Sequence, residues 1–363
     1  MVELDAIEHN DSLSRNASNR ELYQRGRAVL QLTKGTVRLA VGGVVEAGRA
    51  QTTYERHRLR LDTAHNTIDW SPEMHFTWRG QKGWSVTATY DGRTRRPSIL
   101  DLIPIEDTSD PLNIRCGNPG LRNAFTHSMC VSMYYFSAGS ERQLNLQIGG
   151  NIEQRALTQS VNYNRATGVR RYSTINTSGN RHLDAAWGFQ SAFGKAGRWY
   201  LDLQGDMSRS RRVGQQSVDE SETYCYVTRQ TQLVQYAAIQ FKHSGISVKP
   251  YAYGRYERMR SNLAGAIKRD LYTFGYGGVA RYESHFGLSV GVDAYNHCRR
   301  GYAERQMNAD EVIIDAELSY AFLSGRNAEI SIQINDLLGQ RDMVQAYTYT
   351  SGRSEYSYDC AVT

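Results

Sequence analysis

From Trp199 the odd positions read Trp199, Leu201, Leu203, Gly205 and Met207, and the even positions between them read Tyr200, Asp202, Gln204 and Asp206. Successive side chains of a strand point to opposite sides, so this period of two predicts a strand with one apolar and one wet face. The pattern recurs at Ile68, Trp70, Pro72, Met74, Phe76 and Trp78, and at Leu144, Leu146 and Ile148. Later it runs through Tyr272, Phe274, Tyr276, then Leu288, Val290, Val292, and finally Ile314, Ala316, Leu318 and Ile330, Ile332, Ile334. About fourteen such segments of roughly 9–13 residues can be counted, the length of tilted membrane strands and about twice that of soluble ones. No stretch of comparable length has a helical period, and no apolar run approaches the ~20 residues of a membrane helix.

The connectors alternate in size. Short ones fall at 34–35, 79–83, 194–197, 243–245 and 324–327, and long ones near 52–66, 95–123, 154–181, 209–222 and 298–310. Tight turns at one rim and long loops at the other are the layout of a membrane barrel. The predicted fold is therefore an all-β, antiparallel transmembrane β-barrel of meandering strands, with residues 1–24 a leading loop or partial strand and 25–363 the barrel. Trp187, Phe189, Leu201, Leu203, Leu288 and Val290 are expected to face lipid. Gln190, Asp202, Gln204, Ser289 and Asp293 are expected to face inward. Trp70 with Trp78, and Tyr272 with Tyr282, bracket apolar faces as rings at the headgroup level would.

Composition changes this picture little. The 363 residues include 24 Tyr but only 9 Phe and 5 Trp, and four of the six prolines (Pro97, Pro104, Pro111, Pro119) crowd into one connector. The net charge is +6, with small clusters at Arg93, Arg95, Arg96 and at Arg209, Arg211, Arg212. Nucleic-acid binders concentrate charge beside aromatic platforms. This scatter reads instead as solvated loops or contacts to anionic lipid headgroups, so membrane lipid is an expected partner and nucleic acid is not. The five cysteines lie far apart without a C-x-x-C pair and read as unpaired packing residues. The acidic opening segment lacks the apolar core of a secretory signal peptide.

Little in the chain points to chemistry. The glycines of the 275–278 GYGG run lie within a strand, where they ease curvature, and do not open a helix as a phosphate cradle does. His57 and His65 flank a long loop and read as solvated. No G-x-S-x-G element or Cys/His arrangement supports a nucleophile. No catalytic residue, metal site or cofactor is expected, and the chain is not expected to be an enzyme. The 95–121 connector is long, proline-stiffened and repeatedly apolar (Ile99, Leu102, Ile105), which predicts an ordered loop over the lumen at the rim opposite the short turns.

That connector also carries a family resemblance. Arg96, Pro97 and Ser98 match a strand-end Pro-Ser motif. Asp110 and Pro111, followed through Ile114 by Gly117, Asn118, Pro119 and Leu121, match a D-P-x-x-I-x-x-G-N-P-x-L element, and Phe125-Thr126-His127 opens the next strand. Near the end, Asp336, Leu337, Leu338 and Gln340 match the close of a penultimate hairpin. Together these resemble outer-membrane β-barrels of the TonB-dependent receptor type, although Asn123 and Ala124 stand where that family usually has proline and an acidic residue. The resemblance implies a receptor of the bacterial outer membrane for energy-coupled uptake of a scarce, bulky ligand: a metal chelate, oligosaccharide or peptide. It also implies a plug domain and an energy-transducing periplasmic partner. Such a barrel has about 22 strands. The chain is therefore expected to be the carboxy-terminal part of one, cut at both ends and without plug or signal peptide. A passive porin, an outer-membrane enzyme barrel and a soluble secreted β-rich binding module are the alternatives.

Overall fold

The computed structural model describes residues 15–359, apart from short gaps at 57–58, 195–196, 220–222, 264, 267, 269, 324 and 349–352, and omits some side chains near the ends and around 52–65. His57, and the side chain of His65, lie outside the described residues. The chain begins with a meander of β1 (Arg15–Lys34), β2 (Val37–Arg56), β3 (Leu59–Arg79) and β4 (Trp84–Arg95). A connector follows that holds a one-turn helix α1 (Ile99–Leu102) and the short strands β5 (Glu106–Asp107) and β6 (Asn113–Cys116). The meander resumes with β7 (Ala124–Ser137) and β8 (Arg142–Gln154), and a second connector forms the hairpin β9 (Ala156–Tyr163) and β10 (Arg170–Thr177). Next come β11 (Asn180–Phe193), β12 (Trp199–Val218), β13 (Tyr224–His243), β14 (Ile246–Ser261), β15 (Asp270–Glu283), β16 (Leu288–Arg300), β17 (Asp310–Phe322) and β18 (Ala328–Ile334). A separate hairpin pairs β19 (Asp342–Thr348) with β20 (Arg353–Asp359).

Leaving β5, β6, β9 and β10 aside, the main sheet is a run of fourteen antiparallel neighbours from β1 to β18, as the alternation predicts. Hydrophobic register holds across the strands: Leu144, Phe189 and Leu203 stand opposite one another on β8, β11 and β12, and Val292 stands between Ala280 and Ala316 on β15–β17. This apolar face stays open along the sheet, with Ile148, Val131, Leu318 and Ile332 all exposed. Trp187, Phe189, Leu201 and Leu203 share it, while Gln190, Asp202 and Gln204 share the other face. Rings gather on the apolar face at the short-turn rim. Trp84 lies 4.5 Å from Tyr135, and Trp199 lies 4.8 Å from Phe241.

The polar face is the concave one. Tyr251 on β14 donates to Asp293 on β16 at 3.0 Å, and Arg27 on β1 reaches Glu73 on β3 at 2.7 Å. Each contact skips a strand. Neighbouring strands lie ~4.8 Å apart, so a flat sheet would hold such groups about twice that distance apart.

The structure departs from the sequence reading in several places. Residues 52–66 and 209–222 are largely paired strand, because β2, β3, β12 and β13 run to 20 or 21 residues. β1 runs from Arg15 to Lys34 as one strand. Among the described residues the sheet is not closed. Its edges are β1 and β18, and β20 pairs with β19 in the separate hairpin. No helix among the described residues is long and apolar enough to cross a membrane.

Candidate functional site

Strand order fixes the two rims. The turns at 35–36, 138–141 and 244–245 lie at one, and the connectors at 96–123 and 155–179 lie at the other. At the long rim these connectors fuse into one folded layer. β9 pairs in parallel with the far end of β12, β10 pairs with β9, β6 pairs in parallel with β10, and β5 closes on β6.

The layer lies over the concave polar face. Tyr54 of β2 is buried beside Ile103 of the connector. Arg96, just past β4, is the staple. It ion-pairs with Asp69 on β3 and with Glu46 on β2, the latter at 3.2 Å, and its guanidinium sits 4.7 Å from the centre of the Tyr23 ring on β1. Asn123, at the connector's other end, donates to the same Asp69 at 3.1 Å. Between connector and sheet lies a cavity of about 720 Å³, with Glu21, Tyr23, Asp62 and Arg96 on one side and Pro97, Ile99, Leu102, Pro119 and Leu121 on the other. An apolar wall facing convergent charged and phenolic groups is the ordinary constitution of a ligand pocket.

The connector's motif residues build the layer itself. Ser98 precedes α1. The Asp110 carboxylate accepts from Leu112 N–H at 3.0 Å and from the Asn113 amide at 2.8 Å, closing a turn with Pro111 at its second position. The Asn113 amide, then the Leu112 N–H, hold the Asp110 carboxyl below the usual aspartate value. Gly117 passes so close to the Ile103 carbonyl that a Cβ would stand 1.7 Å from its oxygen, so only glycine fits. Asn118 ties the connector to β10, donating to Thr174 O at 3.0 Å, while Thr174 Oγ1 donates to Asp101 at 2.9 Å. Cys116 on β6 has its thiol pushed up by burial and then by the neighbouring Glu106 carboxylate.

A second polar cluster crosses β14–β17. Tyr253 meets His297 and Tyr251 meets Asp293, both reaching over β15 where Gly275 and Gly277 leave room; a Cβ on Gly277 would lie 2.3 Å from Tyr295 Cβ. Arg341 donates to Tyr295 Oη at 3.2 Å and to Asp315 at 2.9 Å. The late motif holds Arg341 there. Asp336 N–H donates to Asp315 at 2.7 Å, the Asp336 carboxylate accepts from Gln340 and Arg341 N–H, and Gln340 Oε1 accepts from Val312 N–H. Leu337 donates its N–H to the Ile314 carbonyl at 2.8 Å and, like Leu338, leaves its side chain exposed. Farther along β16 and β17, Arg299 and Glu311 form a buried ion pair.

Tyr, Arg and Asp side chains of 154–181 and 209–222 mostly tie the layer together: Arg165 with Asp219 at 3.8 Å, Arg171 with Glu106, and Arg170 over Tyr163. The partners of Arg96 were not legible beforehand, since Glu46 and Asp69 lie on other strands; their only signal was a place on a wet face. Cys116, Cys130, Cys225 and Cys298 are free, and Cys298 is buried. Among the described residues no group of three His, Cys, Asp or Glu side chains is placed to hold a metal ion.

A curved antiparallel meander with an outward apolar face, a hydrogen-bonded polar interior and unequal rims defines an outer-membrane barrel sheet. The Outer membrane protein beta-barrel family matches residues 9–273, and the chain belongs to that family, whose place is the bacterial outer membrane. No curated protein matches the sequence. Among solved structures it is similar to FpvA of P. aeruginosa, solved bound to heterologous pyoverdines, at 10% identity and a TM-score of 0.30. The match covers 95% of this chain, which spans only 58% of FpvA. It is also similar to the β domain of the Bordetella autotransporter BrkA, at 13% identity and a TM-score of 0.23 over 85% of this chain and 99% of that domain.

Proposed function

We propose that the chain is barrel wall of a receptor of the TonB-dependent type, taking up a bulky ligand without doing chemistry on it. The observation that carries this reading is the connector layer stapled over the polar face by Arg96, with its charged and aromatic cavity beneath. The motifs around Pro97, Gly117 and Asp336 support it, because each performs a structural task that the receptor layout needs. The long-connector rim is then extracellular, since tight turns lie on the periplasmic side of such barrels. The reading requires a plug in the lumen and an energy-transducing periplasmic partner. Specificity resides in lumen-facing polar groups and the connector layer.

The test is accumulation, in cells expressing the full-length gene, of labelled ferric chelates, cobalamin and oligosaccharides, with and without a protonophore. Energy-coupled uptake of one of these, abolished by the protonophore, is the expected result. Protonophore-insensitive passage of small solutes, with stable conductance in planar bilayers, would replace the reading with a passive porin. Conversion of a supplied ligand by the purified barrel would replace it with an enzyme.

A further inference from the structure

The apolar face carries one feature that a lipid-facing surface does not need. At the long-connector end of β11–β14, Arg181, Arg211, Arg229 and Arg260 stand directly opposite one another on successive strands. One step nearer the membrane, Arg209 and Arg258 flank Thr231 in the next row on the same face. Like charges directly opposite across a ladder are destabilising, and here three successive pairs place arginine against arginine.

Only part of that charge is answered within the chain. Arg260 pairs with Asp270 at 2.7 Å, and Arg211 donates to the Gly179 carbonyl. Arg181, Arg209, Arg229 and Arg258 are exposed and have no ion-pair partner among the described residues. Beside them, toward β8 and β7, the same face turns apolar: Ile152 stands opposite Arg181 and Leu183 opposite Arg209, and both are exposed, as are Met129 and Ile148.

A groove joins the two zones. A cavity of about 600 Å³ is lined at one end by Arg181, Arg209, Arg211 and Arg229, and at the other by Met129, Ile148, Ile152 and Leu183. Gly150 forms its floor, where a Cβ would stand 2.5 Å from the His182 carbonyl oxygen. The combination has the polarity of one lipid: an anionic head beside a hydrocarbon chain. Arginine matches phosphate through forked, bidentate hydrogen bonds, and an anion among the guanidiniums removes the repulsion along the row.

We propose that this face of β11–β14 is a binding site for a phosphate-bearing lipid, its headgroup held by Arg181, Arg209 and Arg229 and an acyl chain lying in the Gly150 groove. The site is independent of the transported ligand, being on the opposite face from the cavity under Arg96.

The test uses the full-length protein purified in a non-ionic detergent and titrated, under native mass spectrometry, with phosphatidic acid and with phosphatidylcholine of identical chains. The wild type should retain phosphatidic acid in preference, and the triple variant Arg181→Gln, Arg209→Gln, Arg229→Gln should lose about tenfold or more of that affinity. A matched variant removing three arginines elsewhere (Arg27, Arg60 and Arg281 to Gln) should keep it. The double variant Met129→Ser, Ile152→Ser, which strips the exposed apolar end and spares the arginines, should weaken the long-chain lipid more than a dihexanoyl analogue; the heat-modified gel shift confirms that each variant is folded. Equal loss in both triple variants would show attraction to net charge alone and overturn the site. So would unchanged preference in the first triple variant, or displacement of the lipid by millimolar inorganic phosphate, which would mark a free-anion site.

Discussion

Two arginines do the same job at two ends of the sheet, with different results. Arg96 follows β4 and reaches over the polar face to acids on β2 and β3; Arg341 follows β18 and reaches back to Asp315 on β17 and Tyr295 on β16. Both stand beside motif segments. Arg96 brings a whole connector layer with it and encloses a cavity, whereas Arg341 donates to the Tyr295 phenol, whose ring lies 6.3 Å from that of Tyr251. Side-chain exposure tracks the difference: 23% for Arg96 and 11% for its Asp69, against 38% and 27% for Arg341 and Asp315. The same ion-pair chemistry is worth more where the pair is shielded, so a connector's length, not its arginine, decides whether a clasp becomes a pocket.

The largest expected effect tests whether the two ends share one frame. Leu203→Arg, mid-strand on the apolar face between them, should cost ~2–4 kcal/mol of stability in membrane and loosen both clasps together. Urea unfolding in lipid vesicles measures it; loss at one end alone would mean that the ends fold separately. Next, Arg96→Ala should release its connector at a cost of about 2–3 kcal/mol, because among the described residues Asp69 then keeps only Asn123. Arg341→Ala should cost less than ~1 kcal/mol, its pair being more open to water. Limited proteolysis within 97–121 and within 335–341 reads both, and equal sensitivity would erase the distinction drawn here.

Gly117→Ala sharpens the comparison from the backbone side. The methyl group meets the Ile103 carbonyl, so the connector should shift at a cost of about 1–3 kcal/mol while Arg341 and its partners stay in place. Hydrogen exchange of the Ile105-bonded Gly117 amide, compared with that of Leu337, provides the measurement. The smallest effect is a pH dependence confined to one end. The Asp110 carboxyl titrates below its unfolded value, so the stabilisation it gives its turn is complete above about pH 4 and is lost as pH falls through the lowered value. Exchange at Leu112 and Asn113 should rise on acidification in the wild type and be insensitive in Asp110→Ala.

The meander was legible where membrane imposes alternation, as at Trp199 to Met207. It was not legible in the outer halves of the longest strands. Gln51, Thr52, Thr53, Glu55 and Arg56 show no apolar face, yet they pair in register with β1 and β3, and Thr53 donates to Asp62 at 2.7 Å while Glu55 meets Arg60 at 3.2 Å. Beyond the hydrocarbon both faces meet water, so the period of two leaves no trace in hydrophobicity. The site was legible as an ordered connector over the lumen. Its anchors were not, because Arg96 finds Glu46 and Asp69 through curvature of the sheet and through partners 50 and 27 residues away in sequence.

The long strands also set a height. At ~3.3 Å per residue and a tilt near 45°, a strand the length of the 21-residue β3 rises on the order of 50 Å. The apolar band of such a barrel is ~25 Å tall. With the aromatic rings and tight turns of the other rim set at the near interface, roughly half of the β2–β3 and β12–β13 hairpins stands clear of the bilayer as a palisade. The cavity under Arg96, lined by Ala50, Asp62 and Thr67 of those outer halves, therefore opens above the membrane surface and not within its hydrocarbon.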